Sequence, residues 1–575
     1  MKMVREIIKK LADSALARLG FPATDFVVEK PKISFGDYAV NAAFGLAKKL
    51  AKQPEEIASR LAEKIRQSLP EEIEKIEAVG GYVNFFLSEK FLQNQLKTIH
   101  QQISDYGQSD LGAGKLVIVE YSQPNIAKKM HVGHLRTTVL GDALANIYQA
   151  NGYQVIRWNY LGDWGTQFGN MIAAYKLWGN KEKVEKNPIE ALQELYVKFH
   201  DQMKIDPELQ KAGQEEFKKL EAGDGENLKL WQWFKEESIK EFSKIYQALG
   251  VKFDTDIGES FYEKRLKPLV AEMKEDGLLE ESGGALIVNL EKENLPPALI
   301  QKSDGASLYL TRDIANLKYR LAEYQPSAIL YVVGNEQSLH FQQLFAVAKI
   351  LGLDRARLEH VKYGLVLGED KKKLSTREGK TIFAEDVIDK ATDLAKKIVS
   401  EKNPSLAERD RDEIASAVAI GAIKYELLKD HRATDVVFDW QRMLDFSGNS
   451  APYLQYAYAR LRNILAKSQE PGIGSKGIEY EGVRELKEKE ELALIKQLIE
   501  FPEAINQCQQ NNLTNPLALY LYELANLANN FYEKVPVLKD ENAERLSARL
   551  LLVKTAAQTL ENGLTLLGLR TLEKI

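Results

Sequence analysis

The chain has 575 residues, of which 44% are hydrophobic and 28% are charged, and its net charge is −5. A chain of this length exceeds what one hydrophobic core usually serves, so we expect about two to four domains. The composition excludes a disordered protein, and the single cysteine, Cys508, excludes a disulfide framework and a thiolate-rich zinc site. No apolar run reaches the roughly 18 residues of a membrane span, so we expect a cytosolic protein without membrane contact.

Residues 1–110 have the pattern of a small α+β domain. A second helix is predicted near Pro54, an aromatic strand within residues 80–91, and a linker over residues 104–115. The first helix carries apolar residues at the spacing of a face packed on a core. These residues are Val4, Ile7, Ile8, Leu11 and Ala15.

From Leu116 short apolar runs alternate with helical patterns, which is typical of a parallel sheet with crossover helices. The runs at residues 116–122 and 153–165, separated by a helix after His134, predict a βαβ unit. A charged, mostly helical insertion occupies about residues 180–280. Further candidate strands lie at residues 307–313, 328–335 and 360–368. We therefore predict a multidomain α/β fold with a catalytic domain over residues 111–444 and an α-helical domain over residues 445–575.

The strongest functional signal is a pair of histidines, His131 and His134, at the junction between a strand and a helix. Open α/β sheets bind ligands at this junction, and the unpaired N–H groups of a helix start favour phosphate. Gly133 lacks a side chain that would keep a nucleotide from the backbone, and both imidazoles can donate hydrogen bonds to phosphate oxygens. A lone histidine here could simply cap or pack a helix. A zinc site is disfavoured because two histidines without a third ligand leave the coordination incomplete.

Residues 124–134 resemble the HIGH signature of class I aminoacyl-tRNA synthetases, and the surroundings are similar to the arginine-specific members. The similarity covers essentially the whole chain. It is carried by residues 120–128, 131–136, 162–169, 303–313, 364–379 and 445–462. The resemblance implies a Rossmann-type catalytic domain that activates L-arginine with ATP, accompanied by Mg²⁺, and transfers it to tRNA(Arg). It implies no structural metal.

The second class I motif, usually Lys-Met-Ser-Lys, corresponds to residues 373–379. Taken alone this segment is a solvated basic loop, but together with the first motif it predicts a phosphate clamp. Thr376 is neutral where a lysine is usual, and Lys128 occupies a position at which similar enzymes place a lysine. By resemblance, catalysis is assigned to Lys128, His131, His134, Lys373, Ser375 and Arg377. ATP binding is assigned to Asn125, His131, Gly133, His134, Val366, Ser375 and Thr376.

Carboxylates should select arginine, because its guanidinium is planar, permanently charged and best held by paired oxygen acceptors. Glu120, at the end of the first sheet strand, and Asp313, at the end of a candidate strand, are the candidates. Each could instead form a structural ion pair or cap a helix, and Arg312 beside Asp313 offers such a pair. The resemblance adds Tyr309 against the arginine side chain and two residues for its α-amino and carboxylate groups, Asn125 and Gln337.

Four aromatic or amide residues are candidate tRNA contacts. Phe91 and Gln93 match the positions with which the N-terminal domain of similar enzymes contacts an unstacked base at the tRNA elbow, and such bases commonly stack on aromatic rings. Tyr453 and Tyr456 share helical spacing, and the resemblance places them on the anticodon-binding surface. Packing in a hydrophobic core is the alternative for both tyrosines.

Two other functions stay open: a different H-x-G-H nucleotidyl-transfer ligase, and a non-catalytic RNA-binding paralogue. The N-terminal aromatic module and the long helical domain have no obvious use without tRNA, which argues against the first. A non-catalytic chain would be free to lose His131, His134 or Ser375, and all three are present. We expect the chain to act as a monomer. By resemblance, bound tRNA is needed before arginine is activated.

Overall fold

The computed structural model describes residues 4–32, 35–303, 305, 308–368, 382–469 and 480–575. It confirms the predicted multidomain α/β architecture, with an α+β region before a parallel sheet and helices after it. The elements of the N-terminal region are α1 (Val4–Arg18), β1 (Val28–Glu29), β2 (Tyr38–Val40), α2 (Ala42–Leu50), α3 (Pro54–Arg66), β3 (Ile73–Val79), β4 (Tyr82–Leu87) and α4 (Glu89–Gln102).

The strands of the N-terminal region form an antiparallel sheet in the order β1-β2-β4-β3. Helix α1 buries most of its predicted apolar face, including Val4, Ile8 and Ala15. The segment predicted as a linker is packed: Tyr106 is buried, and its hydroxyl donates a hydrogen bond to the carbonyl of Leu498 (2.6 Å). The N-terminal region therefore rests on the C-terminal helices.

The central region carries the parallel sheet and the helical insertion. Its elements are β5 (Leu116–Glu120), α5 (Val132–Ala150), β6 (Gln154–Trp158), α6 (Thr166–Trp178), α7 (Lys181–Lys186), α8 (Pro188–Met203), α9 (Pro207–Glu221), α10 (Gly225–Leu249), α11 (Glu263–Glu275), β7 (Glu280–Ser282), β8 (Ala285–Val288), β9 (Ala298–Gln301), α12 (Tyr309–Glu323), β10 (Ala328–Tyr331), α13 (Ser338–Ile350), β11 (Arg357–His360), β12 (Val366–Leu367), α14 (Ala384–Lys402), α15 (Glu408–Leu428), β13 (Val436–Val437) and α16 (Trp440–Met443). The main sheet is parallel, in the order β11-β10-β5-β6. The predicted βαβ unit is confirmed, because β5 and β6 are parallel neighbours joined by α5.

The strand predicted at residues 307–313 is wrong, because helix α12 begins at Tyr309. Over so short a stretch the apolar residues fit both a strand and a helix. The longer pattern is helical: Leu310, Ile314 and Leu317 are buried in the core formed with the main sheet. Asp313 therefore lies in the first turns of a helix and not at the end of a strand.

The strand predicted at residues 360–368 is two separate strands. Strand β11 ends at His360 in the main sheet, whereas β12 pairs with β13 in a second, two-stranded parallel sheet. The chain changes partner here because the buried guanidinium of Arg136 in α5 donates hydrogen bonds to the carbonyls of Gly364 and Leu365 (2.6 and 2.8 Å). Arg136 thereby holds the chain leading into β12 against α5.

Helices α7 to α11 form the charged insertion. A separate antiparallel sheet in the order β7-β8-β9 follows it, and β10 then returns to the main sheet. The C-terminal elements are α17 (Ala451–Lys467), α18 (Lys489–Ile499), α19 (Phe501–Asn511), α20 (Asn515–Lys534) and α21 (Ala543–Leu566). The helical character predicted for this region is confirmed. Across the part of the chain that the structure describes, we find no helix with both the length and the apolar character needed to cross a membrane.

Helix α5 lies between the main sheet and the C-terminal helices and is buried on nearly all sides. Asn146 donates a hydrogen bond to the carbonyl of Leu566 in α21 (3.3 Å), and the Tyr148 hydroxyl donates to Oδ1 of Asn512 after α19 (2.7 Å). A helix buried all round is a fixed part of a core. The start of α5, which carries the first motif, is therefore held by both regions.

Candidate active site

The loop between β5 and α5, residues 121–131, leaves the carboxyl end of a central strand of the parallel sheet. That edge is where open α/β sheets bind ligands. Three of its non-glycine residues have positive φ: Ser122 (75°), Gln123 (53°) and Ala127 (61°). Such backbone costs about 1–3 kcal/mol at each residue and persists only where the surroundings hold it. The first predicted motif therefore begins in a strained segment.

The side chains of His131 and His134 cap the start of α5. Nδ1 of His131 accepts a hydrogen bond from the N–H of Gly133 (3.1 Å), and Nδ1 of His134 accepts from the N–H of His131 (3.0 Å). A ring nitrogen that accepts carries no proton, so each ring has its proton on Nε2. Burial, followed by the neighbouring His131, lowers the pKa of His134 to about 3, which keeps that ring neutral. Two Nε2–H donors thus stand at a helix start, where phosphate is favoured.

Two glycines allow the segments of the site to approach each other. A Cβ at Gly133 would lie 2.8 Å from the ring of His131, so the ring folds over the helix start only because residue 133 has no side chain. A Cβ at Gly162 would lie 2.2 Å from Oδ1 of Asn125. The backbones of Asn125 and Gly162 form a parallel bridge. Gly162, the first residue of the similar segment 162–169, is therefore joined to the loop.

A cavity of about 330 Å³ opens beside this loop. Tyr309 is 64% exposed and Glu120 is buried, so the cavity runs from solvent to the end of β5. It brings together all five residues predicted to bind arginine, whose binding role stays a prediction. They are Glu120, Asn125, Tyr309, Asp313 and Gln337.

Glu120 forms an ion pair with the fully buried guanidinium of Arg320, so its ion-pair alternative is present in the structure. Its Oε1 also accepts a hydrogen bond from Gln123 (2.7 Å). Burial raises the pKa of Glu120, and the charge of Arg320 opposes that shift. No motif in the sequence indicates Arg320. It follows Asp313 by two helical turns on α12, a relation that appears only once this segment is known to be a helix.

Asp313 pairs with His340 and not with Arg312, the partner that the sequence suggested. Nε2–H of His340 donates to its Oδ2 (2.6 Å), whereas Nε of Arg312 lies 3.9 Å from Glu263. Burial disfavours protonation of His340, but the hydrogen bond and charge of Asp313 outweigh it and raise the pKa of the imidazole. His340 also lines the cavity. The carboxylate of Asp313 is therefore held in place by a neutral or cationic ring and not by an arginine.

Glu259 is a third carboxylate of the cavity that sequence analysis missed, since a lone acidic residue in a loop has no local signature. Glu259 is buried and lies in the segment of the chain that joins α10 to α11. No Lys, Arg or His among the described residues forms an ion pair with it. Burial raises the pKa of Glu259 to about 8, opposed by Arg312 and reinforced by Asp313. Its turn is anchored by Asp163, whose Oδ1 accepts from the N–H of Ser260 (2.8 Å). A buried carboxylate without a cation favours a cationic ligand.

The remaining predicted catalytic and ATP-binding positions lie around the loop or outside the described residues. Lys128 is half-buried, with its ammonium 5.0 Å from the ring centre of Tyr196 in α8. Burial lowers the pKa of Lys128. Val366 is buried in β12. Four predicted positions lie outside the described residues: Lys373, Ser375, Thr376 and Arg377.

Three family models match the chain. The model described as "tRNA synthetases class I (R), catalytic domain" matches residues 95–440. The "Arginyl tRNA synthetase N terminal domain" matches residues 2–87, and the "DALR anticodon binding domain" matches residues 454–575. The catalytic model alone matches more than half of the chain. The chain belongs to the arginyl-tRNA synthetases.

Members of the arginyl-tRNA synthetases resemble the chain over its full length. The arginine–tRNA ligase of Clostridium perfringens (strain 13 / Type A) is 42% identical over 576 residues, which cover 100% of this chain and 99% of that protein. The crystal structure of the Plasmodium falciparum arginyl-tRNA synthetase matches with a TM-score of 0.84 at 28% identity. The Thermus thermophilus arginyl-tRNA synthetase matches with a TM-score of 0.83 at 26% identity. Both matches cover 100% of each chain, which confirms the resemblance carried by the motifs.

The predicted tRNA contacts of this synthetase differ in exposure. Gln93 is buried, and its amide donates to the carbonyl of Leu486 in the C-terminal region (3.4 Å), while Phe91 packs partly against the core. The hydroxyl of Tyr453 donates to Asn526 of α20 (2.6 Å). Tyr456 is 38% exposed. Of the four residues, Tyr456 is the most exposed, and base contact stays a prediction for all of them.

Proposed function

We propose that the chain activates L-arginine with ATP, forming arginyl-adenylate and pyrophosphate, and then transfers arginine to the 3′-terminal adenosine of tRNA(Arg). The observation that carries this function is the cavity that contains the carboxyl groups of Asp313 and Glu259 and is also lined by Asn125, in the loop that leads to the capped start of α5. A site for a cation therefore adjoins the segment proposed to bind phosphate. Family membership and full-length similarity support the same reaction.

Arginine enters this cavity with its guanidinium between Asp313 and Glu259. Glu120 is already neutralised by Arg320, so it adds less attraction for a second cation. His340 orients the Asp313 carboxylate. Tyr309, at the exposed end, packs on the arginine side chain, and two residues bind its α-amino and carboxylate groups, Asn125 and Gln337.

ATP lies along the start of α5, where Nε2–H of His131 and His134 donate to its phosphates and Mg²⁺ accompanies the nucleotide. The arginine carboxylate attacks the α-phosphate in line, and pyrophosphate leaves, so catalysis is positioning and charge stabilisation. A ribose hydroxyl of the tRNA then attacks the carbonyl carbon of the adenylate and AMP leaves, and class I membership implies the 2′ position. The other residues proposed to bind ATP or to act in catalysis are Lys128, Gly133, Val366, Lys373, Ser375, Thr376 and Arg377.

Arginine-dependent exchange of pyrophosphate into ATP, with and without tRNA(Arg), tests this proposal. We expect exchange with arginine and not with lysine or citrulline, because a planar guanidinium forms bidentate pairs with carboxylates, whereas an ammonium is a point charge and the citrulline side chain is neutral. Exchange with another amino acid would favour a different H-x-G-H ligase. No exchange with any amino acid, together with tRNA binding, would favour a non-catalytic paralogue. If exchange requires tRNA(Arg), then this chain also resembles the family in binding tRNA before it activates arginine.

The tRNA-binding proposal involves the N-terminal and C-terminal regions, with Phe91 and Gln93 near the tRNA elbow and Tyr453 and Tyr456 near the anticodon. Tyr456 is the position best suited to contact a base, because aromatic rings bind unstacked bases and Tyr456 is exposed, with the guanidinium of Arg460 over its ring (5.2 Å). We propose that the protein acts as a monomer in the cytosol. Light scattering with and without tRNA tests the oligomeric state.

Lys128→Ala is expected to lower kcat for arginine activation by about 10²-fold, with a modest change in the KM for ATP. The reason is that its ammonium supplies the charge that the neutral Thr376 lacks, mainly in the transition state. ATP–pyrophosphate exchange measures both constants. Lys129→Ala is the matched control, because it removes the neighbouring lysine, to which no phosphate contact is assigned. The Lys129 ammonium lies over the ring of Phe383 (5.4 Å). Equal activity of the two variants would contradict this role.

Arginine binding is expected to strengthen as the pH rises from about 6 towards about 8 and then to level off. In the empty cavity the pKa of Glu259 is raised to about 8, so this carboxyl holds a proton at neutral pH. A bound guanidinium favours the carboxylate, so binding releases that proton and is favoured at higher pH. Calorimetric titration with L-arginine in buffers of different ionisation enthalpy counts the released protons.

Two variants separate Glu259 from the other titratable groups of the cavity. Glu259→Gln should weaken arginine binding and remove the pH dependence near 8. His340→Asn should keep that dependence, since it removes only the imidazole that faces Asp313. If Glu259→Gln retains the full dependence, then another group releases the proton and the assignment is wrong.

A further inference from the structure

Helix α10 of the charged insertion reaches the strained loop between β5 and α5. The backbone N–H of Ala127, whose φ is 61°, donates a hydrogen bond to Oγ of Ser238 in α10 (2.8 Å). We propose that Ser238 is a positioning residue for adenylate formation, which holds Ala127 in its left-handed conformation and thereby places Lys128 at the phosphate site. This role rests on the proposed activation of arginine.

The hydroxyl of Ser238 is built to accept this bond. Its own proton is donated to the carbonyl of Phe234 one turn earlier (2.6 Å), which leaves a lone pair directed at Ala127. Both Ser238 and Ala127 are buried, so water cannot replace the hydroxyl. A buried N–H without a partner is strongly unfavourable, and Ala127 would then leave its left-handed conformation.

The same helix also holds the beginning of the loop. The hydroxyl of Tyr246 shares a hydrogen bond with Oγ of Ser122 (2.8 Å) and accepts one from Nδ2 of Asn159 (3.2 Å). Oδ1 of Asn159 in turn accepts from the N–H of Gln123 (3.2 Å). Because Ser122 and Gln123 also have positive φ, each strained residue of the loop is contacted by α10 directly or through Asn159.

A second helix of the insertion contacts the residue that follows Ala127. The ammonium of Lys128 lies 5.0 Å from the ring centre of Tyr196 in α8, within the range of a cation–π contact. Helices α8 and α10 pack on each other. The insertion, whose purpose the sequence does not indicate, therefore holds both the backbone before Lys128 and its charged end.

The chain offers a matched control for the test. Ser243 lies on the same helix, and its hydroxyl donates to the carbonyl of Ile239 (2.7 Å) as Ser238 does to Phe234, but Ser243 does not contact the loop. We expect Ser238→Ala to slow single-turnover formation of arginyl-adenylate by about 5- to 30-fold, with KM values for ATP and arginine changed less than about 3-fold. Ser243→Ala should stay within about 2-fold of the parent protein.

A double-mutant cycle distinguishes positioning of Lys128 from a general loss of stability. In a Lys128→Ala background, Ser238→Ala should cost less than about 3-fold, because the group that it positions is already absent. An equal loss in both backgrounds would overturn the proposal. So would equal rates for Ser238→Ala and Ser243→Ala, provided that the parent protein forms arginyl-adenylate. A parent protein without that activity would instead overturn the proposed function.

Adding Ala127→Gly to the Ser238→Ala variant tests the same idea. Glycine adopts positive φ without strain, so the loop no longer needs the hydroxyl to keep residue 127 left-handed. We expect Ala127→Gly to restore at least part of the rate lost in Ser238→Ala. If the added glycine lowers the rate further, then the bond does not act through the conformation of residue 127 and the proposal fails.

Discussion

Asp313→Asn is expected to raise the KM for L-arginine by about 30-fold or more, with a smaller change in kcat. Removing one partner of a desolvated charge pair costs about 2–5 kcal/mol, and the substitution removes the charge while preserving the shape of the side chain. The Asn oxygen can still accept from Nε2–H of His340, so the local packing is retained. Arginine titrations of ATP–pyrophosphate exchange measure the effect.

Glu263→Gln provides the control for the loss of a carboxylate. Glu263 follows Glu259 by four residues, but its Oε2 faces Nε of Arg312 (3.9 Å) and it does not line the cavity. We expect its KM for arginine to stay near that of the parent protein. An Asp313→Asn variant with an unchanged KM would mean that this carboxylate serves only to bind His340, and guanidinium recognition would then fall to Glu259.

His134→Asn is expected to slow adenylate formation by about 10²–10³-fold, the usual cost of losing one donor to developing charge. The Asn oxygen can accept from the N–H of His131 as Nδ1 of His134 does (3.0 Å), so the helix cap is preserved while the Nε2–H donor is lost. Because burial lowers the pKa of His134 to about 3, the parent rate should show no titration of this ring between about pH 6 and pH 9.

His134→Gln makes the complementary change. Its terminal amide can place an N–H near the position of Nε2, although it caps the helix less well. We expect this variant to be faster than His134→Asn and slower than the parent protein in single-turnover assays. If His134→Asn were instead the more active of the two, then the cap would be the important function of His134 and its proposed contact with phosphate would be wrong.

The sequence by itself determined the strand-helix-strand unit and the place of the first motif at its strand-to-helix junction. Branched apolar runs specify β5 and β6, and the histidine cap uses partners no more than three residues apart. Interactions of such short range follow from local spacing, so the motif could be interpreted without the fold. The same local rules failed at residues 307–313, where a few apolar residues fit either a strand or a helix until buried contacts selected α12.

Only the tertiary structure decided which charges the cavity contains. Arg320 neutralises Glu120, and Glu259 enters from the turn after α10 without a cation of its own. Ser238 meets Ala127 from 111 residues away along the chain. Burial and charge compensation depend on packing between distant segments, and no spacing in the sequence records it. The motifs therefore indicated the site, whereas the folded chain decided which of its carboxylates is already paired with a buried arginine.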